Sequence, residues 1–167
     1  MTWPGTGFNY SAICNYGAAH CDGEILLFLN NDTVIINGDW LDSMVGFFAR
    51  PEVGIVGAKL LFPDNLVQHG GVWVSADHVG YLSDMLSDKD GGYMETMRYP
   101  YNCAAVTGAC QMVRRKAFQS VGGFDENLAV VLNDVDLCLK IGQQGYLTVF
   151  DPQAKLYHSE HTSRGRE

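Results

Sequence analysis

The stretch Gly23-Glu24-Ile25-Leu26-Leu27-Phe28-Leu29-Asn30-Asn31-Asp32-Thr33 decides the reading of this chain. Glu24 to Leu29 is a short, almost continuous apolar run, the pattern of a strand covered on both faces, as in a parallel sheet. It stops abruptly at Asn30-Asn31-Asp32-Thr33. In open α/β sheets, ligands bind beyond the carboxyl ends of the strands. A carboxylate there, beside two amides, can hold a hard divalent cation through oxygen. Asn and Asp are equally turn residues, and taken alone the quartet reads first as a turn.

The pattern outward from this stretch alternates. Ser11 to Cys21 has helical apolar spacing, with Ser11 as its expected N-cap. Asp39-Trp40 opens a second helix, with Leu41, Met44, Val45, Phe47 and Phe48 as its stripe, stopped by Pro51. Val53 to Ala58 is a further buried strand, continued or bent through Phe62 before a Pro63-Asp64-Asn65 turn. Gly54 and Gly57 read as close-packing positions in it. Val67 to Val74 is expected as a strand, and 75–100 as a long, irregular functional loop. Strand material at Ala104 to Val113 leads into a short helix, Arg115 to Val121, closed by Gly122-Gly123. Leu132 to Gly142 is an amphipathic helix. Two strands, Tyr146 to Phe150 and Lys155 to Tyr157, are expected on either side of Pro152. Strands and helices alternating at these lengths predict an α/β architecture, read as one domain over residues 1–167.

Composition narrows the function. Lys plus Arg is 11 and Asp plus Glu 19, a net charge of −8. So acidic a chain is not built around nucleic-acid phosphates and does not suggest a polybasic membrane anchor. The five cysteines form no CxxC pair, which argues against a zinc ribbon or a disulfide framework. With no transmembrane segment and no signal-peptide pattern, the expected location is cytoplasmic, extending to the periphery of the inner membrane face. Asp outnumbers Glu thirteen to six, which favours caps, turns and metal sites over helix surfaces and directs attention to each Asp.

Besides Asp32, two places can carry chemistry. Asn133-Asp134-Val135-Asp136 opens the Leu132–Gly142 helix, where Asp is ordinarily favoured by the helix dipole. Two close carboxylates can instead supply a general base. The tail Tyr157-His158-Ser159-Glu160-His161-Thr162-Ser163-Arg164 could complete a metal and diphosphate site, or simply be a solvated terminus. Gln68-His69-Gly70-Gly71 reads as a Gly-rich turn that could bring backbone close to a ligand. Cys110 has no base at a suggestive spacing and reads as packing rather than as a nucleophile.

The order of these signals carries more than each alone. Phe8-Asn9-Tyr10-Ser11, Gly23 to Thr33, Val56-Gly57-Ala58-Lys59-Leu60-Leu61, Gln68-His69-Gly70-Gly71, Val106-Thr107-Gly108-Ala109-Cys110, Val121-Gly122-Gly123-Phe124-Asp125-Glu126, Asn133-Asp134-Val135-Asp136-Leu137-Cys138 and Tyr157-His158 resemble the blocks of family 2 glycosyltransferases, in order, from about Phe8 to Gly165. The rhamnosyltransferase-like branch is the nearest match. The resemblance implies a partial GT-A fold, a mixed and mostly parallel sheet flanked by helices. It also implies a metal-dependent, inverting transfer of a sugar from a nucleotide-sugar donor to a glycan or lipid-linked acceptor, with rhamnose as the branch-level suggestion. By that likeness Asp32 ligates Mg²⁺ or Mn²⁺, with His158 able to join it. Asn30 stands where the family has the first Asp of its DxD-type motif, and with Asn31 lies on the donor side. Asp134 falls on the catalytic base, with Asn133 where the family has Glu. Thr107, Gly108, Ala109 and Asp136 belong to the donor and acceptor pocket. Ser163 and Arg164 match a tail that closes over the diphosphate. The family's nucleotide-binding strands, which precede the Phe-Asn-Tyr-Ser block, have no counterpart here. The reading therefore expects low activity from this chain by itself. It leaves open a catalytically inactive fragment that self-associates through exposed sheet, and more distantly a metal-dependent phosphohydrolase using Asp32, Asp134 and Asp136.

Overall fold

A computed structural model describes residues 2–159. In chain order these form α1 (Tyr10–Ala19), β1 (Ile25–Leu29), β2 (Thr33–Ile35), α2 (Trp40–Gly46, extended by a 3₁₀ turn at Phe47–Ala49) and β3 (Val53–Leu61). β4 (Val67–His69), β5 (Val72–Val74), β6 (Val79–Tyr81), β7 (Tyr101–Asn102) and β8 (Cys110–Arg114) follow, then α3 (Arg115–Ser120), α4 (Asn133–Gln143) and β9 (Leu147–His158).

The main sheet runs β1-β8-β3-β9-β2, with β4 added to β3 and β7 to β9. Helices cover both faces. On one, Ala18 of α1, Phe118 of α3 and Leu137 and Ile141 of α4 pack on Phe28, Ile55 and Val113. On the other, Trp40, Met44 and Phe48 pack on Val56, Met112 and Leu156. The alternation of Ile55 with Val56, and of Met112 with Val113, is the two-residue period of strands serving two buried faces. The expected mixed α/β sheet is found.

The expectation of mostly parallel pairing is corrected. Among the described residues only β3 and β9 run parallel, while β1–β8, β3–β8, β2–β9, β3–β4 and β7–β9 are antiparallel. Helices cover both faces of the antiparallel β8 as well, while β1, despite its apolar run, leaves Leu27 and Leu29 exposed on one face. Direction is not encoded in the run.

Other boundaries move for local reasons. The N-cap of α1 is Asn9 rather than Ser11, because the Asn9 side chain accepts the Ala12 N–H at 3.0 Å. Ser11 instead lies fully buried and donates its hydroxyl to the Leu128 carbonyl at 2.6 Å. The strand expected over Val67 to Val74 is two, broken where Gly71 takes φ 105°. The segment 75–100 is not wholly irregular, since β6 returns antiparallel on β5. The two strands expected around Pro152 are one, β9. Its register against β3 jumps from Ala58↔Asp151 to Lys59↔Lys155, so residues 152–154 form a bulge that accommodates a proline with no N–H to give.

β3 is buried along its whole length. Its Lys59, 1% exposed, is neutralised by Asp88 at 2.8 Å, which also binds Lys155 at 2.8 Å. Burial pushes the Asp88 carboxyl up, but hydrogen bonds from Lys155 and Lys59 outweigh it and hold the group below the ordinary carboxylate range. This pair of lysines pins the long segment after β6 to the sheet centre.

Gly57 has the closest packing requirement in that strand, since a Cβ there would lie 2.4 Å from Val106 Cβ. Gly57→Ala is expected to destabilise the fold by about 1–3 kcal/mol through overpacking. Urea unfolding monitored by circular dichroism measures it, and an unchanged midpoint would show that β3 and the Val106 segment are not packed this closely.

Candidate active site

The termini of several elements converge on a cleft of about 600 Å³ lined by Asn30, Asp32, Thr107, Gly108, Ala109, Asn133, Asp134 and His158 among others. Backbone pairing brings Asp32 and His158 together. β2 lies antiparallel to the end of β9 with Thr33 opposite His158, and the Ser159 N–H donates to the Asp32 carbonyl at 3.1 Å. The quartet after β1 is thus a turn, tied by the Thr33 hydroxyl to the Asn30 carbonyl at 2.8 Å, and also the mount of an inward-facing carboxylate. The two readings of Asn30-Asn31-Asp32-Thr33 hold together.

Asp32 Oδ1 is buried and finds no hydrogen-bond donor, yet His158 Nε2 lies 3.2 Å from it. The opposite ring nitrogen, Nδ1, meets Gln68 Oε1 at 2.7 Å and can only donate to that oxygen. In the neutral ring Nε2 then presents a lone pair, which faces both the Asn30 amide at 3.4 Å and the carboxylate oxygen. Two electron-rich atoms this close require a proton or a cation between them. Their separation matches adjacent donors on one small cation, about 3 Å for bonds of about 2.1 Å at right angles. The donor set therefore fits Mg²⁺ or Mn²⁺. Among the described residues no group of three or more His, Cys, Asp or Glu could hold a metal, so these residues supply a partial set. Divalent ions of this kind are commonly held by one or two side chains together with substrate phosphate.

Across the cleft, Asp134 stands in the first turn of α4. Its Oδ2 accepts the Gly108 N–H at 2.8 Å and its Oδ1 the Val135 N–H at 2.8 Å. Both oxygens are thereby aimed while the carboxylate still lines open space. The Gly108 peptide is fixed from its other end by the Tyr10 hydroxyl, which donates to its carbonyl at 2.9 Å. Burial pushes the Tyr10 hydroxyl far up, so it remains a donor. The Phe8-Asn9-Tyr10-Ser11 block has a mechanical meaning here. Tyr10 N–H donates to Ala129 at 2.8 Å and Asn9 Nδ2 to Glu126 at 2.9 Å, which fastens the loop leading into Asp134.

The sequence-derived set is not brought together whole. Asn30, Asp32, Thr107, Gly108, Ala109, Asp134 and His158 share the cleft. Asn31 is exposed and does not line it. Asp136 also lies off it, turned toward Lys140 one helical turn on at 2.7 Å. Ser163 and Arg164 lie outside the described residues. Cys110 is wholly buried, and burial pushes its thiol up to about 12, as a packing role requires. Residues missed in the sequence also line the cleft. Val79 and Tyr81 of the β5–β6 hairpin form one rim and Val130 to Leu132 another. The paired Val-Trp-Val and Val-Gly-Tyr runs were the available signal for the hairpin. His69 was read only as part of a turn, but it is central to the site's support. Its Nδ1–H donates to the Ala58 carbonyl at 3.1 Å, and its Nε2 accepts the Thr107 N–H at 3.2 Å.

Residues 25–165 match the family model described as glycosyl transferase family group 2. The chain is 44% identical over 169 residues to the O-antigen biosynthesis protein RfbC of Myxococcus xanthus, covering 98% of this chain and 13% of that protein. It is 44% identical over 62 residues to the N-acetylglucosaminyl-diphospho-decaprenol L-rhamnosyltransferase of Mycobacterium tuberculosis, covering 37% of this chain and 20% of that one. Its fold is similar to that of the mannosyltransferase PcManGT from Pyrobaculum calidifontis, solved with GDP-Man and Mn²⁺, at TM-score 0.61 and 18% identity over 92% of this chain and 37% of that structure. The matched part of the chain thus covers a fifth or less of the length of these curated relatives. No helix among the described residues is long and apolar enough to cross a membrane.

His69 gives the site's support a pH signature. Burial pushes its imidazole down from 6.5 to about 4, against the opposing hydrogen bond to Ala58. The unfolded chain therefore binds a proton below pH 6.5 that the folded chain refuses until about pH 4. Stability from this group is complete above pH 6.5 and falls as the pH drops toward 4, by about 3 kcal/mol in all. Urea unfolding at pH 7.5, 6 and 5 should show wild type losing more stability than His69→Gln; parallel losses would mean that His69 is not buried neutral.

Proposed function

This chain belongs to glycosyl transferase family group 2, and on that premise we propose that it forms the cation-holding and base-carrying part of an inverting sugar transferase. The donor is a nucleotide-sugar and the acceptor a hydroxyl of a glycan or lipid-linked glycan. The observation that carries this reading is the facing of Asp32 and His158, with an unpartnered carboxylate oxygen between them, toward a second, separately aimed carboxylate, Asp134, in one cleft.

The chemistry divides between the two walls. Among the described residues no Lys or Arg lines the cleft, so an anionic diphosphate meets only carboxylate and imidazole there. A divalent cation bound by Asp32 and His158 would neutralise the leaving diphosphate. Asn30 contributes a neutral amide beside them. Asp134 accepts the proton of the acceptor hydroxyl as its oxygen bonds to the anomeric carbon and the bond from that carbon to the diphosphate oxygen breaks. Attack from the face opposite the leaving group inverts the anomeric centre. The hydrogen bonds from Gly108 and Val135 hold Asp134 in a fixed direction, so orientation is prepaid by the fold. Thr107 to Ala109 form the floor against which the donor sugar rests. The rhamnosyltransferase named among the relatives supports rhamnose as the transferred sugar.

Two substitutions separate these roles. In the native gene product, Asp134→Asn is expected to lower sugar transfer by about 10²–10⁴-fold, with Mn²⁺ binding retained. Asp32→Ala is expected to abolish Mn²⁺ binding and transfer together. Transfer assayed with a panel of UDP-, GDP- and dTDP-sugars reads the first effect and electron paramagnetic resonance of free Mn²⁺ the second. Undiminished transfer by Asp134→Asn would remove the base from this residue.

A second reading has its own observation. β1 lies at one end of the sheet order and exposes Leu27 and Leu29. An edge of this kind pairs readily with another chain, which supports self-association by this chain in isolation. Light scattering across a concentration series decides it: a monomer throughout would dismiss that reading.

A further inference from the structure

We propose that Gln68 is a positioning residue for the cation site: it sets the tautomer and direction of His158, so that Nε2 is delivered as a ligand. The inference rests on the cation reading given above and assigns a role that reading does not contain.

Gln68 lies in the middle of β4 and is 4% exposed. A buried primary amide costs free energy unless it is hydrogen-bonded, and an apolar side chain would fill the same space at lower cost. Two hydrogen bonds join it to one residue, His158. Oε1 accepts from His158 Nδ1 at 2.7 Å, and Nε2 donates to the His158 carbonyl at 3.4 Å. Ring and backbone of His158 are held by the same side chain.

The consequence is electronic as well as geometric. A neutral imidazole carries one N–H, and the acceptor at Nδ1 decides which nitrogen has it. With Gln68 Oε1 at 2.7 Å, Nδ1 keeps the hydrogen and Nε2 is left with its lone pair. Nε2 is the nitrogen that lies 3.2 Å from Asp32 Oδ1. Without that acceptor the hydrogen moves to Nε2, drawn by the Asp32 carboxylate, and the ligand is lost to an internal hydrogen bond. Partners that orient a ligating histidine in this way typically change metal affinity by about 10–100-fold when removed.

The test is a Mn²⁺ titration of this chain at pH 8, read by electron paramagnetic resonance of the free ion, with circular dichroism as the check on folding. Gln68→Met keeps the volume and removes the acceptor. Gln68→Glu keeps the acceptor at Nδ1 while removing the amide N–H groups, the 3.4 Å donor to the His158 carbonyl among them. Gln68→Met is expected to bind Mn²⁺ about tenfold more weakly, and Gln68→Glu at least as tightly as wild type. Equal affinity of Gln68→Met and wild type overturns the proposal, as does a Gln68→Glu as weak as Gln68→Met, which would make the role one of bracing β9. If Gln68→Met does not fold, Gln68→Glu decides alone, and weaker binding than wild type overturns the proposal. Asp32→Ala separates the levels. If it binds Mn²⁺ as wild type does, the cation reading fails and the proposal with it. If it is weakened while the Gln68 variants are not, the proposal alone fails.

Discussion

A strand buried along all its length must have every polar group answered from within the protein, and β3 is such a strand. β8 and β9 take its two sides, antiparallel and parallel. Lys59 requires Asp88. Where the β3–β9 register jumps, the Ala58 carbonyl accepts the His69 Nδ1–H, and the other nitrogen of that ring holds the Thr107 peptide. The loop Thr107 to Ala109 is thereby hung from the centre of the sheet. The next peptide, Gly108, aims Asp134. A demand for polar satisfaction in the core thus propagates, through one neutral histidine, to the carboxylate on the cleft wall.

β4 is the short element through which both walls are braced. Gln68 holds His158 beside Asp32, and His69 holds the loop beside Asp134. The strand contributes little apolar area, yet neighbouring residues in it serve the two halves of the site. Asp32 and His158 are 126 positions apart in sequence and meet because β2 pairs with the end of β9. The electrostatic character follows. Asp32 and Asp134 line the cleft with no Lys or Arg among the described lining residues, which suits a cation before it suits a phosphate. The net charge of −8 acquires a local meaning at this cleft, while much of the remaining acidity is surface such as Asp136 paired to Lys140.

Much of this was legible in the sequence because the signals were local. An apolar run ending in Asn-Asn-Asp and an amphipathic helix opened by Asp each express a rule that acts within a few residues. The blocks that resemble family 2 glycosyltransferases proved to be residues that touch one another. Asn9 to Ser11 fasten the loop before Asp134, and Gln68-His69 hold His158 and Thr107. Their chemistry was misjudged when each was read alone: Ser11 serves as a buried donor rather than a cap, and Gln68-His69 as strand rather than turn. Asp136 was grouped with Asp134 on proximity, although residues two apart on a helix face different ways.

The sequence by itself determined the α/β composition, most of the helices and strands, and the identity of the carboxylates at their ends, because periodicity and capping are properties of consecutive residues. Only the tertiary structure decided that the sheet is largely antiparallel, that β9 runs unbroken past Pro152, and that Asn31 and Asp136 lie off the cleft. Strand direction and register are settled by partners far along the chain. The most consequential of these decisions is the meeting of Asp32 Oδ1 with His158 Nε2. No sequence spacing fixes which nitrogen of a ring faces a carboxylate; the buried amide of Gln68, arriving from a third strand, does.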